Sequence, residues 1–244
     1  MFNEEKRFKE AFLNLSKTDF YFVLVNDGST DKTQDIIQAL SKRCPKKITA
    51  LTMAHNSGKA ESVRQGMLYA YETFPDAAWI GFWDADFSAP IAEAPLMLRY
   101  AQNEDSDIVF GSRIKKIGSH IQRGLKRHFM GRFFCTAVDL LFQLNSYDSQ
   151  CGAKFFRRKA IPDAFLEPFI SKWIFDIEII LRVRQQFRVT EYPLRNWREV
   201  GGSKLNIYRE AFRILLDIRK IYIQRKSKLS LIQQFVDGNS DLLP

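Results

Sequence analysis

No run of 18 uncharged apolar residues occurs in the 244-residue chain, so no transmembrane helix is expected. The opening stretch MFNEEKRFKEAF is charged and lacks the apolar core of a secretory signal. Cysteine is scarce and odd in number. Cys44, Cys135 and Cys151 are widely spaced and read as reduced thiols of a cytosolic protein, not as a disulfide framework. The three histidines, at 55, 120 and 128, give no zinc-ligand spacing. Acid is absent from residues 108–138, a window that holds Arg113, Lys115, Lys116, Arg123, Lys126, Arg127 and Arg132. A second basic concentration runs from Arg209 to Lys228, and the net charge is +9. Basic patches of this kind attract anions: nucleic acid, phosphorylated ligands or an acidic membrane surface. No helix-turn-helix or aromatic RNA-binding signature accompanies them, so nucleic acid is not an expected partner.

An apolar content of 45% suffices for one substantial domain with a real core. Short apolar, β-branched runs mark strands at FYFVLVND (20–27), KITALTM (47–53), AAWIGFWDAD (77–86) and SDIVFGS (106–112). Helical stretches separate them: one after STD with Ser29 or Thr30 as N-cap, one over 57–74 capped by Ser57, and one after Pro90. This alternation predicts an α/β domain with a mostly parallel sheet flanked by helices. Farther on, a long helix lies within 121–144, a strand at 151–158, a helix at 172–187 and a strand at 189–197. Residues 205–225 are amphipathic and basic. The expected division is a domain over 1–204 and an amphipathic helical extension with a tail over 205–244.

Ligands of open α/β sheets bind at the carboxyl ends of the strands. Three features fall at such ends. NDGSTD (26–31) places Asp27 and Gly28 where a carboxylate would meet a nucleobase or ribose, or where a D-G turn simply leads into a helix. NSGKAESVR (56–64) opens a helix with Lys59, a suitable phosphate site that lacks P-loop spacing; an ordinary capped helix with an exposed lysine is the alternative. DADFSAP (84–90) sets Asp84 and Asp86 after a buried run, either as turn residues or as hard-oxygen ligands for Mg²⁺ or Mn²⁺ bridging a diphosphate.

The ordered set VNDGSTDKT, HNSGKAESVRQGM, WDADFSAP, GSR, DSQCGAKFFRR, FDIEI and W-x-E-V-GGSKL resembles the family 2 glycosyltransferases of the GT-A (Rossmann-like) fold. More narrowly it is similar to the polyprenyl-phosphate glycosyltransferases, the dolichyl-phosphate mannose and glucose synthase type. The likeness covers nearly all of residues 3–206. It implies that Asp27 contacts the nucleobase end of a donor and that Lys59 lies near the donor pocket. Asp84 and Asp86 would hold the metal and diphosphate, and Ser88 stands where some relatives carry a Gln that helps at the metal. Arg113 and Arg127 would face the phosphates, Gln150 and Lys154 would lie under the sugar site, and Ser203 and Lys204 would belong to a loop closing over the diphosphate. The implied donors are UDP-glucose or GDP-mannose, with a slight lean to UDP-glucose, and the implied acceptor is a polyprenyl phosphate.

Physical chemistry suits that acceptor. A phosphate is already anionic, so what it needs is positive charge to hold two phosphate-bearing substrates together. The acid-free window supplies it, and the Phe residues within it would either pack in the core or seat the helix among lipid headgroups. Direct displacement at the anomeric carbon would turn an α-linked donor into a β-linked product. A family 2 transferase acting on a sugar hydroxyl would instead want a base, with Asp148, Asp176 and Glu178 as candidates.

The family begins with an apolar strand that this chain lacks; Asn3, Glu4 and Glu5 correspond to the residues just past that strand. Two exposed strand edges, or a sheet closed differently, is the expected consequence. A remnant without catalysis is the corresponding third reading. The basic tail would attach a peripheral protein to the cytoplasmic face of a membrane, pack on the domain or form a homo-oligomer contact.

Overall fold

The computed structural model describes residues 1–5, 15, 18–200 and 213–226, with backbone only for 125–128 and 130. Two units form, residues 1–202 and 203–244. In the first, β1 (Phe22–Asn26) and β2 (Ile48–Thr52) pair in parallel, joined by α1 (Thr33–Arg43). Next come α2 (Lys59–Thr73), β3 (Trp79–Trp83), α3 (Glu93–Asn103), β4 (Ile108–Ser112), β5 (His120–Gln122) and α4 (Leu125–Phe142). Beyond these lie β6 (Ala153–Arg157), α5 (Ile161–Phe165), α6 (Phe175–Val183), β7 (Val189–Pro193) and β8 (Asn196–Arg198). In the second unit, residues 213–226 are helical.

The larger sheet runs β3-β6-β4-β7. All five residues of β4 are buried, as its unbroken apolar run requires of a central strand. β4 and β7 are parallel, and β6 runs antiparallel to both β3 and β4. The direction of β6 is set by its connection. The chain leaves β4 at the sheet's carboxyl edge, passes through β5 and α4, and re-enters at that same edge, so it must run back down. Asp84 is thereby set opposite Gly152, one step beyond the Trp83–Ala153 pair. The strand expected over 189–197 divides into β7 and β8, and β8 leaves to pair with β5.

Among the described residues, β1-β2 forms a sheet separate from the four-stranded one. α2 packs on both β1 and β3, and the Phe20 ring stacks on Phe155 at 6.1 Å. Met1 hydrogen-bonds the edge of β1 that faces away from β2. Its ammonium donates to the Val25 carbonyl (2.7 Å), and the Asp27 N–H donates to the Met1 carbonyl (2.8 Å).

Residues 3–5 clasp the loop after β1. The Asn3 N–H donates to Ser29 Oγ, and the Thr30 N–H donates to Asn3 Oδ1. The Glu4 N–H donates to Thr33 Oγ1, and the Glu5 N–H donates to Asp31 Oδ2. Ser29 and Thr30, expected as helix caps, are committed to Asn3, so α1 begins at Thr33 with its first N–H received by Asp31 Oδ1 (3.0 Å). Ser57 does not cap α2 either. Gly58 is the cap residue, at φ 94°, and no side chain of its own turn bonds to it.

Candidate active site

Asp27 takes over the capping of α2 from a distance. It is 3% exposed, and its carboxylate accepts the Ser57 N–H (2.8 Å), the Gly58 N–H (2.9 Å) and the Asn56 side-chain amide (3.2 Å). The β1 turn is thus locked to the NSGK loop. Gly28, at φ +64°, makes the close approach: a Cβ there would lie 2.7 Å from Asn56 N and His55 C. Gly28→Ala is therefore expected to cost about 2–3 kcal/mol of stability, from left-handed strain plus displaced backbone. Urea denaturation of the variant beside wild type measures this. Next to the loop lies a shallow cavity of about 240 Å³, lined by Thr52, Met53, His55, Ser57 and Gln65 among others.

The lock sets Lys59 at the first turn of α2, where its Nζ lies 2.6 Å from Asp84 Oδ1. Burial works against the Lys59 charge, but the carboxylates of Asp84, Asp176 and Asp86 outweigh it and hold its pKa above the usual lysine value. Asp84 and Asp86 sit on a tight turn in which the Phe87 N–H donates to the Asp84 carbonyl (3.0 Å). Phe87 is left-handed, at φ 49°. For a bulky residue that conformation is strained, and it persists because the ring packs against the core cluster around Leu24, Ile37 and Ile48. Ser88 contributes through its backbone: its N–H donates to Asp86 Oδ1 (2.9 Å) and its carbonyl accepts from Arg198 N–H (2.9 Å).

Behind Asp84 stands Gly152. Its carbonyl accepts the Asp84 N–H at 2.7 Å, and a Cβ on it would overlap the Asp84 carboxylate. The sequence singles out its neighbours Gln150 and Lys154 but not Gly152 itself. The missed signal is a glycine at the start of a strand that pairs beside the acidic turn. Gln150 lies two residues away, half-buried, with its amide 3.5 Å from Ser149 Oγ.

Two predicted cations are engaged inside the protein. Arg113 grips Asp148 bidentately, Nε and one Nη each at 2.7 Å, and its own N–H adds a third bond at 3.0 Å. The guanidinium also lies over Trp197, 5.5 Å from the ring centre. Burial opposes both charges, but the pairing outweighs it, raising Arg113 above and holding Asp148 below their usual ranges. The lowered carboxyl fixes the pH sign. The pair's stabilisation is full above the unfolded carboxylate pKa of about 3.9 and disappears as pH falls through the folded value. Urea midpoints are expected to show no loss from this pair between pH 7 and about 4, and to fall below that.

Lys154 is 0% exposed, with Nζ 2.7 Å from Asp176 and bonded to the Cys151 carbonyl. The side chain of Arg127, on α4, lies outside the described residues, as do Ser203 and Lys204. Among the described residues no group of three or more His, Cys, Asp or Glu side chains is placed to hold a metal ion. Asp84 and Asp86 offer two carboxylates on one turn, and a cation, the Lys59 ammonium, already rests on one of them. Two carboxylates completed by substrate phosphates suit Mg²⁺ or Mn²⁺, so the residues fit such an ion.

Comparison with known proteins identifies the family and the fold. The family model described as "Glycosyl transferase family 2" matches residues 1–165. A dolichyl-phosphate beta-glucosyltransferase of Saccharomyces cerevisiae is 30% identical over 208 residues, covering 80% of this chain and 62% of the relative. Its Drosophila melanogaster counterpart is 27% identical over 242 residues, covering 91% and 72%. The chain spans about three fifths of the length of several curated relatives, 61% for one from Trichomonas vaginalis. Among solved structures, glucosyl-3-phosphoglycerate synthase from Mycobacterium tuberculosis in complex with UDP superposes with a TM-score of 0.61 at 13% identity, covering 91% of this chain and 77% of that one. A mannosyltransferase from Pyrobaculum calidifontis in complex with GDP-Man and Mn²⁺ superposes with a TM-score of 0.59 at 16% identity, covering 92% and 62%. With well over half of its residues matched by the family model, and a fold shared with these transferases, the chain belongs to glycosyltransferase family 2 and has the GT-A fold.

Proposed function

We propose that the chain transfers glucose from UDP-glucose to a polyprenyl phosphate at a membrane surface, with inversion at the anomeric carbon. The observation that carries this reading is the junction of Lys59, Asp84 and Gly152 on a strained turn at the sheet's carboxyl edge, beside the loop that Asp27 locks. The turn carries two carboxylates whose charges both act on Lys59, and the α2 N-terminus with Lys59 brings positive charge to it. The diphosphate would lie there, with the base in the neighbouring cavity at His55 and Gln65. Mg²⁺ or Mn²⁺ on Asp84 and Asp86 would supply Lewis-acid stabilisation of the departing diphosphate. The donor choice rests on relatives named as dolichyl-phosphate beta-glucosyltransferases, with GDP-mannose as the second candidate.

The state of the other carboxylates favours a phosphate acceptor over a hydroxyl. Asp148 is bound by Arg113, Asp176 is paired with Lys154, and Glu178 accepts the Ile170 and Ser171 N–H groups. All three candidate bases are thus engaged. A test is turnover of UDP-glucose and GDP-mannose with a short-chain polyprenyl phosphate in detergent, with product configuration read by NMR. A β-linked glucosyl phosphate is expected; an α-linked product, or turnover only with sugar hydroxyls, rejects the reading.

The membrane side of the proposal rests on α4. Phe133 is 79% and Leu140 75% exposed, and Phe129 shares their side of the helix; Phe129 and Phe133 lie in the acid-free window, and Leu140 follows Asp139 just past it. Apolar side chains on a basic helix suit the headgroup region of anionic lipid. Replacing Phe133 and Leu140 by Ser together is expected to weaken binding to phosphatidylserine vesicles roughly tenfold or more. Co-sedimentation reads this directly.

A further inference from the structure

We infer that Lys59 is the resident counter-ion of the Asp84–Asp86 pair, and that it leaves Asp84 only for a divalent cation that arrives together with the donor's diphosphate. The inference deepens the proposed function and rests on its metal-holding reading of that pair.

Lys59 is fixed at the site from both sides. The Gly58 N–H is held by Asp27 (2.9 Å), and the Ala60 N–H donates to the Lys172 carbonyl (3.3 Å). Its ammonium stands 2.6 Å from Asp84 Oδ1. A metal held by that oxygen would share it with the ammonium, and the two cations would repel. On its other side Gly152 backs the Asp84 carboxylate and holds the Asp84 N–H, so as the site stands the oxygen facing the α2 N-terminus is the one that Lys59 occupies. A bare cation therefore meets two carboxylates, one already neutralised, and among the described residues no third acid is placed to join them on a metal.

A diphosphate changes both halves of this balance. It brings oxygen ligands to the metal, and it gives Lys59 and the first turn of α2 an anion to face in place of Asp84. Asp176 does not recapture the lysine, because it holds Lys154 at 2.7 Å. Metal and nucleotide should therefore bind as a coupled pair, each poorly without the other.

The test is Mn²⁺ binding to the 244-residue chain, monitored by the electron paramagnetic resonance of free Mn²⁺, with and without UDP. Lys59→Met is expected to bind bare Mn²⁺ roughly tenfold more tightly than wild type and Mn²⁺ with UDP less tightly, whereas Lys59→Arg keeps the wild-type order. A merely structural lysine would not improve metal binding on removal. Thermal melts establish that the variants fold, and Lys59→Gln takes the place of Lys59→Met if the latter does not. Bare-Mn²⁺ affinity that is unchanged or weaker in the uncharged variant, while wild type binds Mn²⁺ with UDP, overturns the inference alone. No Mn²⁺ binding by wild type even with UDP overturns the metal reading, and the inference with it.

Discussion

Gly152→Ala is expected to lower turnover about 100-fold while changing stability by less than about 1 kcal/mol. The added Cβ would overlap the Asp84 carboxylate, which is the softer partner. Its side chain is 36% exposed and can swing toward solvent, whereas the backbone of Gly152 is held in register beside Asp84. The fold thus absorbs the methyl group by moving a carboxylate, and the geometry between Asp84 and Lys59 is what changes. Displacements of about 1 Å at a reacting centre are enough for losses of this size. Steady-state kinetics with UDP-glucose, beside a urea titration, separates the two effects. The double variant Gly152→Ala with Asp84→Ala should be no worse than Asp84→Ala alone, because both changes remove one function. If Gly152→Ala unfolds the chain, or leaves turnover unchanged, the supporting role of Gly152 is wrong.

Why Gly152 does not stand out in the sequence is a matter of topology. Period and turn chemistry locate β1, β2, β3, β4 and the helices between them, because each strand there is short, apolar and bounded by Gly, Pro, Asp or Ser. Asp84 stands out for the same reason. The partner of Asp84 depends on which strand enters beside β3, and in which direction. An alternating pattern suggests a parallel neighbour, whereas the excursion through α4 returns β6 antiparallel. Local sequence contains nothing that reports this return. Caps fail similarly: Ser29 is a good cap residue locally but accepts the Asn3 N–H instead, and Ser57 gives way to Asp27, 30 positions away. Phe133 misleads in the other direction, since an aromatic in a helix is usually core and this one lies 79% exposed.

Lys154 carries the last of the large expected effects. The family resemblance sets it under the sugar site, and its side chain is entirely enclosed, between the rings of Phe110 (4.5 Å) and Phe82 (5.3 Å) and against Asp176 (2.7 Å). A buried ion pair adds little over a well-packed apolar pair, but removing one member strands a charge. Lys154→Met keeps the volume and removes the ammonium, leaving Asp176 buried without its partner, and is expected to cost about 3–5 kcal/mol. Adding Asp176→Leu should recover most of that loss, since the stranded charge is then gone. Urea denaturation of the two single variants and the double variant gives the cycle. The functional corollary distinguishes a floor from a ligand. With Nζ engaged by Asp176 and the Cys151 carbonyl, Lys154 is expected to act as a floor, so the folded double variant should retain its affinity for UDP. If the double variant is as stable as wild type but has lost UDP affinity, Lys154 contacts the donor directly and the enclosed pair opens on binding.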